Sequence, residues 1–227
     1  MFDAVAWLSA AASAWLLYRW RFRSRVDALS KRLGSGYFAA LAGGGIAGAY
    51  LFGTLNAVLS GQAGLGRSIL GALLGAITAI EIYKHRKGVS GSTGAVLAVP
   101  FSLAVAIGRV GCYQSGMTDY TYGITTDLPW GVDFGDGVQR HPVQLYESLT
   151  MAVVTLVLFV GLLRQSPRAL ASGFYMAVGI YGVQRLMWEF LKPYGTLIGP
   201  FNLFHFLCLI LVVYAMAMLY LNRDERT

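Results

Sequence analysis

The sequence predicts an all-α, polytopic membrane protein with about seven transmembrane helices. Of its 227 residues, 56% are hydrophobic and only 13% are charged, about half the charged fraction of a typical soluble domain. Mean hydropathy is +0.56. Apolar runs of roughly 20 residues recur along the chain, which is the length that a helix needs to cross a bilayer. These runs are too long and too continuous for the alternating strands of a membrane barrel.

Seven apolar segments form the predicted spans of one transmembrane domain, 1–227. In chain order the spans cover 2–20, 37–59, 68–83, 93–109, 146–163, 170–191 and 201–221. Thirteen of the 18 lysines and arginines follow spans one, three, five and seven. Because basic loops stay in the cytoplasm, this predicts an outer N-terminus and a cytoplasmic C-terminus. The same distribution accounts for the net charge of +7 without a nucleic acid as partner.

Span one has no basic flank or small-residue cleavage site of a signal peptide, so we expect it to remain in the protein. A strongly basic segment with six lysines and arginines follows it, from Arg19 to Arg32. Within this segment, residues 26–33 form either a short amphipathic helix on the anionic leaflet or a solvated basic loop.

Spans two and three are rich in glycine, including Gly44, Gly48, Gly71 and Gly75. Small residues let helix backbones approach closely in a bilayer, so this pattern favours tight helix packing over a ligand cavity. Arg67 precedes span three at its predicted outer end, where the distribution of basic residues disfavours a positive charge. We therefore expect Arg67 to face an anionic group.

A long polar segment, 110–145, separates spans four and five on the predicted outer side. Polar groups are costly in membrane proteins and often mark functional sites, so we look for function here first. Arg109 lies at its start between Gly108 and Gly111, and glycines beside an arginine allow close approach of a bulky anion. The two cysteines, Cys112 and Cys208, indicate no disulfide framework and no metal-ligand spacing.

Span six carries Tyr181, Arg185 and Glu189 at intervals of four residues, which places them on one helix face. Ionised side chains inside a span are costly unless they are paired or hydrated. The pattern indicates either a structural ion pair or a cavity wall in which Glu189 orients Arg185. A guanidinium matches a phosphate, so Arg185 and Arg109 at similar depth predict a site for a phospholipid headgroup.

The segment 140–147, R-H-P-V-Q-L-Y-E, ends the polar interval. Pro142 suits the first turn of a helix, which would place His141 at the mouth of a membrane cavity. A histidine can exchange a proton near neutral pH, so His141 is a candidate acid or base. The neighbouring side chains that we expect to bind substrate are Gln144, Tyr146 and Glu147.

Three motifs together resemble the bacterial prolipoprotein diacylglyceryl transferase family. They are Gly108-Arg109-Val110-Gly111, the segment 140–147, and Tyr181-x-x-x-Arg185-x-x-x-Glu189. The resemblance implies a multi-pass enzyme of the bacterial cytoplasmic (inner) membrane with its active site near the outer leaflet. The implied reaction transfers a diacylglyceryl group from phosphatidylglycerol to the lipobox cysteine thiol of a prolipoprotein and releases glycerol 1-phosphate. No cofactor and no metal are implied.

The resemblance further implies that Arg109 and Arg185 hold the phosphate, with Tyr181 and Glu189 as neighbouring or proton-transfer partners. The chain also departs from the family pattern. It has Cys112 and Met117 where the family has asparagine and glutamate, and 67–71 (RSILG) where the family has a histidine.

Three interpretations therefore remain open. The chain is the transferase with His141 as the replacement base, a related phospholipid-dependent transferase with another acceptor, or a non-catalytic lipid-binding membrane protein.

Overall fold

The computed structural model describes residues 2–222, which are mostly helical. In this range the α-helices are α1 (Phe2–Leu17), α2 (Arg23–Leu33), α3 (Ser35–Leu59), α4 (Ile69–Arg86), α5 (Ala98–Ser115), α6 (Val143–Leu163), α7 (Pro167–Glu189) and α8 (Leu203–Leu221). Two antiparallel hairpins join them, β1 (Val132–Asp133) with β2 (Gln139–Arg140) and β3 (Thr196–Ile198) with β4 (Phe201–Asn202). The predicted cytoplasmic charges Arg223 and Arg226 lie outside the described residues.

A long helix occupies each of the seven predicted spans. Within residues 2–222, four helical stretches are long and apolar enough to cross a membrane, namely Ser35–Leu59, Ala95–Asp119, Val143–Leu163 and Leu203–Leu221. The helices α1, α4 and α7 are shorter or more polar. These findings support a helical membrane protein, and the seven spans with their orientation stay predictions.

The predicted end of span four differs from the structure. Span four was expected to end at Arg109, but α5 continues to Ser115, and a 3₁₀ turn follows over Gly116–Asp119. Gly116 has φ +61°, a backbone conformation that favours glycine and does not continue a right-handed helix. Arg109 therefore lies more than a turn inside the helix, rather than at its end.

The basic segment after α1 is helical, so the alternative of a solvated loop is wrong. A π-helical turn, Tyr18–Phe22, leads directly into α2. Phe22 and Leu33 are buried at the two ends of this stretch, which explains why the segment folds against the bundle. Arg25 Nη1 donates a hydrogen bond of 2.9 Å to the carbonyl of Leu170, near the start of α7.

Tight packing of α3 against α4 confirms the interpretation of their glycines. A side chain on Gly48 would come within 3 Å of backbone atoms of Gly71 and Gly75, and one on Gly44 would meet Gly75 and Ala79 at similarly short range. The two helix backbones are thus in direct contact, which only small residues permit.

The helices α5 to α8 enclose the main hydrophobic core, which includes Val105, Met151, Val178 and Leu211. The last turns of α5 and α7 and the first turns of α6 and α8 meet at one end of this bundle. We call it the site end. Arg25 and the start of α7 mark the opposite, basic end. The fold therefore brings the polar residues of four helices to one place.

Candidate active site

Glu147, near the start of α6, is the centre of a buried ionic network at the site end. Its side chain is 0% exposed. Arg109 Nε lies 2.5 Å from Glu147 Oε2, and Arg185 Nη1 lies 2.5 Å from Glu147 Oε1. Lys192 Nζ lies 2.7 Å from the same Oε1. A single carboxylate thus joins α5, α6, α7 and the turn that follows α7.

Glu189 extends the network on the other side of Arg185. Arg185 Nη2 lies 3.0 Å from Glu189 Oε2, four residues along α7. Asn202 Nδ2 donates a hydrogen bond of 3.1 Å to Glu189 Oε1. Asn202 also caps α8, where its side-chain oxygen accepts from the backbone N–H groups of Phe204 and His205. The start of α8 therefore fixes Glu189, which in turn orients Arg185.

We call Arg109, Glu147, Arg185, Glu189 and Lys192 the cation cluster. With all five groups ionised, three positive charges face two negative ones, and every side chain is at most 5% exposed. A buried charge without a counter-charge is costly. The excess of one positive charge therefore suits an anionic ligand, and guanidinium groups offer the geometry that binds phosphate.

Polar groups without partners lie beside the cation cluster. Tyr181, one turn before Arg185, is completely buried, and its ring packs edge-on against Phe101. Within residues 2–222, neither the Tyr181 hydroxyl nor either amide atom of buried Gln144 has a hydrogen-bond partner. Buried polar atoms normally make hydrogen bonds. These groups can therefore donate to or accept from a polar ligand.

His141 lies in a group of aromatic side chains next to the buried network. Its Nδ1 is 3.3 Å from the hydroxyl of Tyr146, which accepts a hydrogen bond of 2.8 Å from Trp130 Nε1. The ring of Tyr146 also packs against Trp188, with a centroid distance of 5.2 Å. We call these four residues the aromatic rim. The structure thus places His141 among aromatic side chains, and its use as a base stays a prediction.

The polar segment 110–145 folds over the site end through backbone contacts. The N–H of His141 donates to the carbonyl of Ile124 at 3.0 Å, and the N–H of Ile124 donates to Leu191 at 2.7 Å. Arg140 Nη2 donates to Asp136 Oδ2 at 2.5 Å, and this hydrogen bond lowers the pKa of the Asp136 carboxyl below its usual value. The hydrogen bond from Ile124 to Leu191 attaches the segment to the turn that carries Lys192.

A model of the family described as prolipoprotein diacylglyceryl transferase matches residues 4–221. The chain belongs to this family.

Curated relatives named phosphatidylglycerol–prolipoprotein diacylglyceryl transferase are about one-third identical to the chain. The Geobacter sulfurreducens relative is 32% identical over 145 residues, which is 61% of this chain and 54% of the relative. The Photobacterium profundum relative is 33% identical over 188 residues, or 78% of this chain and 68% of the relative. The chain spans about half the length of the first curated relatives that it matches. No solved structure is significantly similar to it.

The remaining predicted site residues lie at the same end of the molecule. Gly111 is buried in α5 and Gly108 is half-buried beside Arg109, close to Ala6 of α1. Arg109 Nη1 also approaches the sulfur of Cys112, at 3.9 Å. Arg67 is exposed in the turn before α4, and its role in binding an anion stays a prediction.

Two residues of the network were not among the predicted site residues. Lys192 is one of the five lysines and arginines that do not follow spans one, three, five or seven, and no functional motif of the sequence indicates a role for it or for Asn202. The signal for Asn202 was its position three residues before His205, a helix-capping pattern. Among residues 2–222, no group of three or more histidine, cysteine, aspartate and glutamate side chains is arranged to hold a metal ion.

Proposed function

We propose that this chain transfers a diacylglyceryl group from phosphatidylglycerol to the lipobox cysteine thiol of a prolipoprotein and releases glycerol 1-phosphate. The observation that carries the proposal is the unbalanced positive charge of the buried cation cluster. Phosphatidylglycerol contributes a phosphodiester with a single negative charge, which would balance it. Membership of the family and the names of the relatives support the same reaction.

In this proposal Arg109 and Arg185 bind the phosphate. Arg109 pairs with Glu147 through its Nε, which leaves its terminal nitrogens for the phosphate in this proposal. Its Nη1 lies 3.9 Å from the sulfur of Cys112. When the bond between the glycerol carbon and the phosphate oxygen breaks, the leaving phosphate gains negative charge. Positioned guanidinium groups stabilise that charge in the transition state. Arg67, Gly108, Gly111, Gln144, Tyr146 and Glu147 complete the proposed substrate site.

The acceptor thiol must lose its proton to become a nucleophile. His141, Tyr181 and Glu189 are the proposed residues for proton transfer or for orienting the arginines. Tyr181 supports this role by its buried hydroxyl, and Glu189 by its pairing with Arg185 at 3.0 Å. His141 lies at the aromatic rim, where a thiol could enter from the outer polar segment.

The proposed orientation directs the site end to the outer leaflet of the bacterial inner membrane. Seven spans then cross the bilayer within one domain, 1–227, and 110–145 forms the outer catalytic segment. The basic residues around α2 and the start of α7 support this orientation, because they gather at the opposite end.

The decisive experiment incubates the purified full chain with phosphatidylglycerol vesicles and a lipobox peptide, and measures the peptide mass. We expect a gain of one diacylglyceryl group, and no gain on a peptide whose cysteine is replaced by serine. Arg109→Ala and Arg185→Ala should abolish product. Arg164→Ala, an exposed arginine after α6, is the matched control and should remain active. Full activity of both site variants would show that the site is elsewhere.

A second candidate is a related transferase with another acceptor. Cys112, which contacts Arg109, and Met117 motivate it, because the family pattern has asparagine and glutamate at these positions. Consumption of phosphatidylglycerol without modified peptide would favour this candidate. Tight binding of the lipid without any turnover would instead indicate a non-catalytic lipid-binding protein.

A further inference from the structure

Lys192 is a buried lysine in the turn directly after α7. Its side chain is 0% exposed, and its Nζ lies 2.7 Å from Glu147 Oε1. Arg185 pairs with the same oxygen at 2.5 Å. The backbone N–H of Lys192 donates to the carbonyl of Glu189 at 3.2 Å, which holds the turn against the end of α7. The fold thus inserts this ammonium group into the centre of the cation cluster.

The other members of the cation cluster are permanently charged or already paired. Guanidinium groups stay protonated in proteins. Both oxygens of Glu147 face cations, and those of Glu189 face Arg185 and the amide of Asn202. Lys192 is the cluster member with an accessible neutral form.

Lys192 can be charged or neutral within the cation cluster. Its ammonium form supplies the excess positive charge that suits an anion. With a neutral lysine, two guanidinium groups face two carboxylates, and the buried cluster is balanced. Burial and the nearby Arg185 guanidinium lower the pKa of Lys192 to about 8. The charged and titratable groups around it are Arg109, Cys112, Glu147, Arg185, Glu189, Tyr194 and Cys208.

We propose that Lys192 accepts the proton of the acceptor thiol during diacylglyceryl transfer. This inference rests on the proposed function. The neutral amine takes the S–H proton, and the thiolate sulfur forms a bond to the glycerol carbon of the donor. The bond from that carbon to the phosphate oxygen breaks, and its electron pair leaves with glycerol phosphate as a dianion. The total charge is unchanged, because the new ammonium compensates the new negative charge on phosphate.

Donor binding strengthens Lys192 as a base in this scheme. The phosphodiester brings a negative charge next to Arg109 and Arg185, which offsets their repulsion of an ammonium group. The lysine therefore gains affinity for a proton when the donor is in place. Proton uptake and headgroup binding are thus coupled through the same cluster.

The test compares Lys192→Arg and Lys192→Gln with the unmodified full chain. An arginine keeps the positive charge but does not accept a proton. We expect Lys192→Arg to bind phosphatidylglycerol vesicles as the unmodified chain does, and to transfer at least ~100-fold more slowly, the scale of lost general-base catalysis. Lys192→Gln should be similarly slow. The transfer rate of the unmodified chain should rise with pH from about 8 upward, because the bound donor raises the pKa of Lys192 above its value of about 8 without donor. This rise should be absent from Lys192→Gln.

Each result has a defined meaning. Transfer by Lys192→Arg within about threefold of the unmodified chain would show that only the charge matters and would overturn the proposal. Loss of lipid binding in Lys192→Arg, in step with transfer, would overturn it in favour of a binding role. If the unmodified chain forms no product, the proposed function itself fails and this inference fails with it.

A small-amine rescue experiment covers the case in which the arginine variant does not fold. Lys192→Ala is assayed with increasing ethylamine, which can occupy the space of the lysine side chain. We expect transfer to recover by at least ~10-fold and the recovery to follow the free-amine fraction as pH rises. No recovery in a folded Lys192→Ala would overturn the proposal.

Discussion

Glu147 of α6 lies 2.5 Å from Arg185 of α7, and both side chains are buried in the helix bundle. The same carboxylate pairs with Arg109 of α5, also at 2.5 Å. Glu147 therefore has a structural role, because it holds two arginines from separate helices at the same depth in the bundle. The phosphate site that we propose depends on this arrangement, since neither arginine could be retained at the site end without a counter-charge.

Replacement of Glu147 by glutamine should destabilise the protein by about 3–5 kcal/mol, because it leaves buried cations without their carboxylate. Denaturant unfolding in detergent micelles, followed by far-UV circular dichroism, measures the free energy of unfolding. Asp136→Asn is the control, since Asp136 pairs with Arg140 at the surface and its loss should change stability little. Equal stabilities of the two variants would contradict the structural role of Glu147.

Arg185→Lys should weaken binding of phosphatidylglycerol by roughly 10-fold or more, the effect of losing one hydrogen bond to a charged group. A lysine cannot reach Glu147 and Glu189 with separate planar nitrogens as Arg185 does. Flotation with lipid vesicles measures the affinity. Arg168→Lys, an exposed position at the start of the same helix, should bind like the unmodified chain. Unchanged lipid binding by Arg185→Lys would show that the guanidinium group of Arg185 is not needed to bind the phosphate.

The contact between α3 and α4 predicts that alanine substitutions at two glycines of α3 have different effects on stability. Gly48→Ala should destabilise the protein by about 1–3 kcal/mol, because the new methyl group would press on the backbone of Gly71 and Gly75. Gly43→Ala is the control, as a methyl group there meets no atom within 4 Å. Thermal unfolding in detergent compares the two. A Gly48→Ala variant as stable as Gly43→Ala would contradict the packing of this helix pair.

Tyr146→Phe should loosen the polar segment 110–145, because the Tyr146 hydroxyl accepts the hydrogen bond of Trp130. The loss of about 1 kcal/mol should raise amide hydrogen exchange in 126–131 about fivefold. Mass-resolved hydrogen exchange measures this segment directly. Tyr220→Phe, with a side chain exposed at the far end of α8, should leave the exchange of 126–131 unchanged. Equal exchange in both variants would show that the aromatic rim does not hold this loop.

Much of the fold follows from local sequence. Runs of apolar residues predict the long helices, since both the periodicity and the length are properties of neighbouring residues. The glycines of α3 and α4 likewise predict their own close packing. The end of α5 was harder to place, because the residues from Val110 to Ser115 are polar enough for a loop and only Gly116 ends the helix.

The site was predicted in part. The spacing of Arg185 and Glu189 predicts their ion pair, and the shared depth of Arg109 and Arg185 predicts that they converge, as they do on Glu147. Glu147 was predicted only as a substrate-binding residue. Its position between both arginines depends on the rotation of α6, which is set by packing against α5 and α7 rather than by nearby residues.

The amino-acid sequence alone determined that this chain forms apolar helices. It also showed that the chain contains motifs of a known family and two arginines suited to binding phosphate. Only the tertiary structure decided which charges share a carboxylate and that Lys192 is buried among them. The physical reason is that helix formation depends on residues a few positions apart, whereas buried ion pairs depend on the relative depth and rotation of helices distant in sequence.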